Sequence, residues 1–312
     1  MIPLIDNDKS EHYIKRGDPN KATYYIIRQQ NTEAGLFWYF AMVAGHIRYA
    51  MSNGWLPVVD MQNYPNPYLA PDKLGKENAW EYYFEQPLKI NLEQAYSGEN
   101  VILSATENES VAYPDLTMRF FENKNNVLTE WRTLVKFGLL KVKPALVKEA
   151  SAIRDKLFTK TDRVLGVKLR GTDYLANKPK WYPIPPTAEF ATNVILSKLT
   201  EHKCNKIFLA TEDKNIEQTL KNTFGDLCVT FDKKFVDYVQ GKSITACRID
   251  RENDYFLQGK EYLVEMLLLS KCNSLVLARS FGAVGVMMLS EAFEHTYFFN
   301  FGRYGIYGGA ME

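Results

Sequence analysis

Hydrophobic positions along this chain repeatedly change period, from every second residue to every third or fourth, and each change marks a new element. Ala22 to Ile27 (ATYYII) is β-branched and aromatic, which predicts a strand. From Gly35 the period lengthens. Leu36, Phe40, Val43, Ile47 and Ala50 recur at steps of four and three, the pattern of a helix with one apolar stripe against a core. Asn53-Gly54 stops it, and Leu56 to Met61 reads as a second strand. A Pro- and Asn-rich loop from Gln62 to Pro71 comes next, then a short helix near Glu77 to Phe84 and a strand at Val101 to Ser104. Charged helical patterns over Val127 to Lys136 and Pro144 to Leu157 close this half.

The second half alternates more cleanly. Strands are predicted at Val164 to Leu169, Ile207 to Ala210, Val229 to Phe231, Ser274 to Leu277 and Tyr297 to Phe299. Helices fit between them at Thr187 to His202, Lys214 to Thr223, Lys260 to Cys272 and Ala283 to Ala292. Strands alternating with helices of this length indicate βαβ units and a parallel sheet covered on both faces. The expected fold class is α/β, with two Rossmann-like domains facing a cleft. They join near residues 155–162, giving an N-terminal unit over 1–157 and a C-terminal unit over 158–312.

Composition narrows the function. A chain of 312 residues suits about two domains. Lys and Arg number 38 against 37 for Asp and Glu, so no basic excess supports a nucleic-acid partner. Nineteen Tyr and 18 Phe favour a stacking surface for a ring-shaped ligand. Cys204, Cys228, Cys247 and Cys272 lack any CxxC spacing and read as reduced, mostly buried thiols. No run approaches the ~18 apolar residues of a spanning helix, and no signal-like segment opens the chain, so a cytoplasmic protein without a transmembrane segment is expected.

Several motifs carry no function. His12, His46, His202 and His295 are scattered without ligand spacing, so neither a metal nor a cofactor is expected. Asp6-Asn7-Asp8 matches a DxD pattern but precedes the first strand and reads as a turn. GxGxxG, GxSxG and GxxxxGK[ST] are all missing, which removes support for dinucleotide, hydrolase and P-loop readings.

In open α/β sheets ligands bind beyond the carboxyl ends of the strands. Three polar clusters stand there: Arg170-Gly171-Thr172-Asp173-Tyr174, Thr211-Glu212-Asp213, and Ala278-Arg279-Ser280-Phe281-Gly282-Ala283 opening a helix. Two arginines and a helix start suit a phosphorylated ligand, since backbone N–H groups and guanidinium forks both favour anions. Each residue also has a plainer reading. Arg170 can pair with Asp173 or Glu212, Ser280 can be an N-cap, and Glu265 in LVEMLLL can face solvent. Alternatively, Glu265 is an acceptor aimed at a ring with adjacent N–H donors, such as guanine. Trp80, Tyr82, Tyr83, Trp181 and Tyr182 can stack on sugars or pack into the core.

The peptide VLGVKLRGTDY (Val164 to Tyr174) resembles the hallmark of the GDP-fucose-dependent fucosyltransferase superfamily, roughly VGVHxRRTD or HxRRGDY. That group includes α1,6-, α1,2- and protein O-fucosyltransferases. FLATED (Phe208 to Asp213) resembles its second motif, and LVEMLLLS (Leu263 to Ser270) with LARSFG (Leu277 to Gly282) its third. The resemblance covers roughly Val164 to Ser290 and, in the N-terminal half, only the Gly35-Leu36-Phe37 helix opening. It implies a GT-B glycosyltransferase, metal-independent and inverting, moving fucose or a related sugar from a GDP-sugar to an oligosaccharide or glycan acceptor in polysaccharide biosynthesis. By the same resemblance, Arg170 holds the β-phosphate, Glu265 reads guanine, and Glu212 and Asp213 line the nucleoside. Ser280 and Phe281 contact the diphosphate beside Arg279, while Gly35 and Leu36 face the donor across the cleft.

Two departures stand out: Lys168 replaces the family's His, and Gly171 its second Arg. Without Mg²⁺, charge building on the leaving diphosphate needs fixed donors, and Arg170, Lys168 and the Ser280 helix start supply them. Asp173 is either the catalytic base or the group that orients Arg170. Alternatives are another GDP-hexose or GDP-heptose donor, a nucleotide-sugar epimerase of similar architecture, or a silent glycan-binding module.

Overall fold

The computed structural model describes residues 8–106 and 111–306, which form two sheets. Asp6 and Asn7 of the DxD-like segment lie outside the described residues. The first sheet holds β1 (His12–Lys15), β2 (Thr23–Arg28), β3 (Leu56–Asp60) and β4 (Asn100–Leu103) in the order β1-β4-β2-β3. β2 runs parallel to β3 and β4, and β1 closes the edge antiparallel. The second sheet holds β5 (Val164–Lys168), β6 (Lys206–Ala210), β7 (Cys228–Thr230), β8 (Ser274–Ala278) and β9 (His295–Phe299). Its order is β7-β6-β5-β8-β9, all parallel. β5 and β8 are buried at every position, as unbroken apolar runs in a doubly covered parallel sheet should be. The chain leaves β5 towards β6 and returns on the other side at β8, so a topological switch point lies between them.

The helices are α1 (Leu36–Ser52), α2 (Trp80–Tyr83), α3 (Leu92–Ser97), α4 (Met118–Phe121), α5 (Val127–Lys136), α6 (Pro144–Leu157), α7 (Thr172–Asn177), α8 (Ala188–Glu201), α9 (Lys214–Phe224), α10 (Asp254–Leu269) and α11 (Phe281–Leu289). α5 and α6 match the predicted bounds. α10 begins a turn and a half earlier than its apolar pattern suggested. α1 departs from expectation in kind, because it buries nearly all its faces down to Ile47 rather than one stripe. It lies between the first sheet and α11, so both sides meet protein. Phe37 and Phe40 join one continuous core with Leu263 and Val284 of the second half.

Close backbone approach makes this core possible. A Cβ at Gly285 would meet Phe37 Cδ1 at 1.9 Å, so glycine lets the Phe37 ring seat directly on α11. Gly259 likewise accommodates the Tyr83 ring, whose hydroxyl donates to Phe256 O at 2.9 Å across the two halves. Trp80 and Tyr83 are therefore core residues. The expected joint near 155–162 is the link from α6 to β5, although α6 packs on α10 of the other half. Lys260 pairs with Glu149 there at 2.9 Å. Among the described residues no helix is long and apolar enough to cross a membrane.

Candidate active site

A cavity of about 420 Å³ opens where the carboxyl ends of both sheets converge. From the first half come Glu33, Gly35, Phe37 and Trp38 after β2, and Tyr68 after β3. The second half contributes Lys168, Arg170 and Asp173 after β5, Glu212 after β6, and Lys233 and Lys234 after β7. Ser280 and Phe281 after β8, with Glu261, Tyr262 and Glu265 of α10, complete the wall. The three sequence clusters therefore converge at the switch point.

Arg170 satisfies the pairing reading and still faces the cavity. Its guanidinium donates to Asp173 Oδ1 at 2.8 Å, lies 3.4 Å from Glu212 Oε2, and sits 4.3 Å from the Tyr174 ring centroid. Its Nε–H is buried without a partner. Burial opposes its charge, but Glu212 and Asp173 outweigh that and hold its pKa above the ordinary arginine value. Lys168 is almost fully buried, donates to Leu169 O at 3.2 Å, and lies 3.5 Å from Glu212 Oε2. Burial, only partly offset by Glu212, pulls its pKa below the usual lysine value. Burial pushes Glu212 up, yet Arg170 and Lys168 prevail and bring it down to about 2. Glu212 Oε1 also accepts from Gly171 N at 2.9 Å.

Asp173 is fully engaged. Oδ1 accepts from Arg170 and from Tyr174 N at 3.0 Å, and Oδ2 from Ile244 N at 3.2 Å. That geometry favours the orienting role over the catalytic one. Ser280 accepts from Ala283 N at 3.3 Å as the N-cap of α11 and also lines the cavity. Glu265 is not solvent-facing. It is 2% exposed and pairs with Lys233 at 2.6 Å inside the cavity wall.

Three expected donor residues sit elsewhere. Asp213 is absent from the cavity wall. Its Oδ1 caps α9 through Asn215 N and Ile216 N, and its Oδ2 accepts from Thr172 N at 2.9 Å. Arg279 reaches the other way, donating to Leu116 O at 3.3 Å and Asn300 Oδ1 at 2.7 Å, and so ties a first-half loop to the second sheet. Leu36 is buried in the α1 core, and Phe37 lines the cavity in its place. Gly35 stands at the extended N-cap of α1 on the cavity wall, as expected.

The sequence reading missed Glu33, Lys233, Tyr262, and the Arg251–Glu261 pair at 2.6 Å. Glu33 is the one carboxylate lining the cavity, among the described residues, that has no ion pair and no side-chain hydrogen bond. No sequence motif marked it, three residues before the start of α1. Of the aromatic candidates, Tyr182 lines the cavity, whereas Trp181 stands exposed beside it. His46 is buried between Tyr25 and Gln29, and burial lowers its pKa to about 4. His202 stacks on His295 with centroids 4.6 Å apart.

Neither a protein-family model nor a curated protein sequence matches the chain. Solved structures do. NodZ α-1,6-fucosyltransferase soaked with GDP-fucose aligns at 15% identity and TM-score 0.51, over 86% of this chain and 92% of that one. NodZ from Bradyrhizobium aligns at 14% and 0.52, over 92% and 98%. POFUT1 in its apo form aligns at 8% and 0.54, over 93% and 100%. At such identities the likeness is one of fold, and the fold is the GT-B arrangement that the RGTDY resemblance implied.

Proposed function

We propose that this chain is an inverting glycosyltransferase that moves fucose, or a related sugar, from a GDP-sugar to a glycan hydroxyl without a divalent ion. The observation that carries the proposal is Arg170. Arg170 lines, with Lys168, the wall of a cavity into which α11 opens its N-terminus, and its Nε–H is buried without a partner. Lys233 and Lys234 add two further cations to that wall. The acceptor oxygen forms its bond to the anomeric carbon as the bond to the GDP oxygen breaks, and the electron pair leaves with GDP. Negative charge growing on the β-phosphate meets the guanidinium, the ammonium groups and the helix-start amides, all held in place before the reaction.

The acceptor's proton goes to Glu33. Every other carboxylate on the wall is occupied: Asp173 by Arg170, Glu212 by Arg170 and Lys168, Glu261 by Arg251, and Glu265 by Lys233. Glu33 comes from the first half and Arg170 from the second, so base and leaving-group clamp are supplied by different halves of the chain lining one cavity. That placement suits in-line attack with inversion. Glu265 offers a carboxylate for adjacent N–H donors of guanine once Lys233 yields one oxygen. Four unpaired cysteines fit a reducing, cytoplasmic compartment, where a GDP-sugar enzyme of polysaccharide assembly would work.

Thermal-shift screening against GDP, UDP, CDP and ADP, followed by GDP release from GDP-fucose with and without EDTA, tests the proposal. GDP-specific stabilisation and EDTA-resistant turnover support it. UDP-specific stabilisation, or turnover abolished by EDTA, overturns it.

A further inference from the structure

A second cavity, of about 330 Å³, adjoins the first and shares Tyr68, Ile249 and Arg251 with it. It forms where the loop after β3 meets the first turn of α10, on the same rim of the cleft. Tyr82 and Phe256 give it an apolar wall, their rings edge to face with centroids 5.7 Å apart. Its volume falls in the range of small-ligand sites, roughly 300–1,000 Å³.

Its charges are unevenly committed. Lys73 pairs with Glu77 at 3.1 Å. Arg248 donates to Gln258 Oε1 at 2.7 Å and Pro67 O at 2.6 Å, and rests on the Tyr255 ring. Arg251 is spent on Asp254 at 2.7 Å and on both oxygens of Glu261. The second oxygen of Asp254 accepts from Ile249 N at 3.2 Å. Lys73 and Arg251 are thus paired with carboxylates, whereas Arg248 is held by neutral acceptors and keeps its charge. Asp72 and Asp250, both exposed on the wall, have no ion pair and no hydrogen bond to their carboxylates among the described residues. The cavity therefore offers hydrogen-bond acceptors and spare negative charge beside an aromatic wall.

We propose that this cavity is a carbohydrate subsite for a neutral or ammonium-bearing sugar ring, and that it discriminates against acidic sugars. Hydroxyl or ammonium donors engage Asp72 and Asp250, and the C–H face of the ring packs on Tyr82. A uronate brings like charge against two unpaired carboxylates set against the single Arg248 guanidinium, and that net repulsion is how such a site rejects a competitor of the same shape. Calling the bound sugar the acceptor rests on the glycosyltransferase reading above, because the shared wall puts it next to the donor cavity. The carbohydrate binding itself does not depend on that reading.

A matched trio tests it: methyl glucoside, methyl glucosaminide and methyl glucuronide, which share one ring and differ in charge. Binding to the full chain is followed by saturation-transfer NMR with and without GDP. Expected is binding of the glucoside and the glucosaminide, with the glucuronide silent. In the double variant Asp72→Asn, Asp250→Asn, glucosaminide affinity falls about tenfold or more, and the glucuronide is no longer disfavoured relative to the glucoside. Tyr82→Ala weakens all three. The proposal is overturned if the glucuronide binds the wild type as well as the others do, if none of the three binds, or if the double variant leaves their order unchanged. The GDP response of each variant reports whether it is folded. A wild type indifferent to GDP would sink the donor reading alone and leave the sugar measurements to decide this one.

Discussion

Arg170→Lys separates charge from geometry at the centre of the site. In the resting protein one N–H of the guanidinium reaches Asp173 at 2.8 Å, another lies 3.4 Å from Glu212, and the Nε–H is buried and unused. A planar fork can keep its carboxylates and still present a fixed donor edge to a phosphate. An ammonium on a shorter, flexible stem cannot do both at once. Losing one charge-assisted hydrogen bond to the diphosphate costs about 1.5–3 kcal/mol, or roughly 10- to 100-fold in GDP affinity. Turnover should fall further, on the order of 10²- to 10³-fold, because charge grows on the phosphate as GDP departs. Keeping the cation matters, since a neutral residue would strand Glu212 and Asp173 and cost about 3–5 kcal/mol of stability, which would blur the readout. Titration calorimetry with GDP and a GDP-release assay measure the two effects. If Arg170→Lys binds GDP and turns over as well as the wild type at an unchanged melting temperature, the assignment of Arg170 to the diphosphate is refuted.

Three further outcomes rest on the same geometry. Glu33→Gln should slow transfer by roughly 10²- to 10⁴-fold while leaving GDP affinity intact, as measured by single-turnover transfer beside calorimetry; equal losses in both would remove Glu33 from the base role. Gly285→Ala should destabilise the fold by about 1–3 kcal/mol through its collision with Phe37, with part of the loss recovered in Gly285→Ala, Phe37→Leu, as read by urea denaturation. Glu212, held at about 2 against an ordinary 4.5, contributes stability that is complete above pH 4.5 and drains away as pH falls from there towards 2. That contribution is on the order of 3 kcal/mol, and Glu212→Gln should flatten the fall in urea midpoint across this window; an unchanged slope would show that other groups dominate.

The second half was the more legible in sequence for a physical reason. Strands buried on both faces must be apolar throughout, so β5 and β8 announce themselves, and the residues just past a strand's carboxyl end in such a sheet lie at its binding edge. β1 gave no such signal. Its four residues alternate between half-buried and exposed on an antiparallel edge, where neither face demands an apolar run. α1 was read correctly as a helix but given a stripe, because periodicity cannot show that a second layer of protein covers the other side. The burial of Glu265 was invisible for a related reason: the Lys233 that neutralises it comes from an aperiodic segment thirty-two positions away. Glu33 lacked any partner to betray it, and only the shape of the cavity singles it out.

Gly171 shows how a departure from the family peptide can be a structural requirement. A Cβ there would meet Asp213 Oδ2 at 2.3 Å, so no side chain, and certainly not a second arginine, fits while Asp213 holds its present place. Asp213 cannot easily leave, since it caps α9 with one oxygen and grips Thr172 with the other. Thr172 needs that grip because its φ of 39° is a left-handed conformation that β-branched residues avoid. The strained turn in turn sets Asp173 against Arg170 and presents Gly171 N to Glu212. One glycine thus exchanges a cation for a locked turn that aims the remaining arginine. The same cavity wall carries three lysines, Lys168 beside Glu212, Lys233 paired with Glu265, and Lys234. On the proposed reading, cations from separate loops, rather than from a neighbouring position on one peptide, would face the diphosphate, and those loops would have to be ordered.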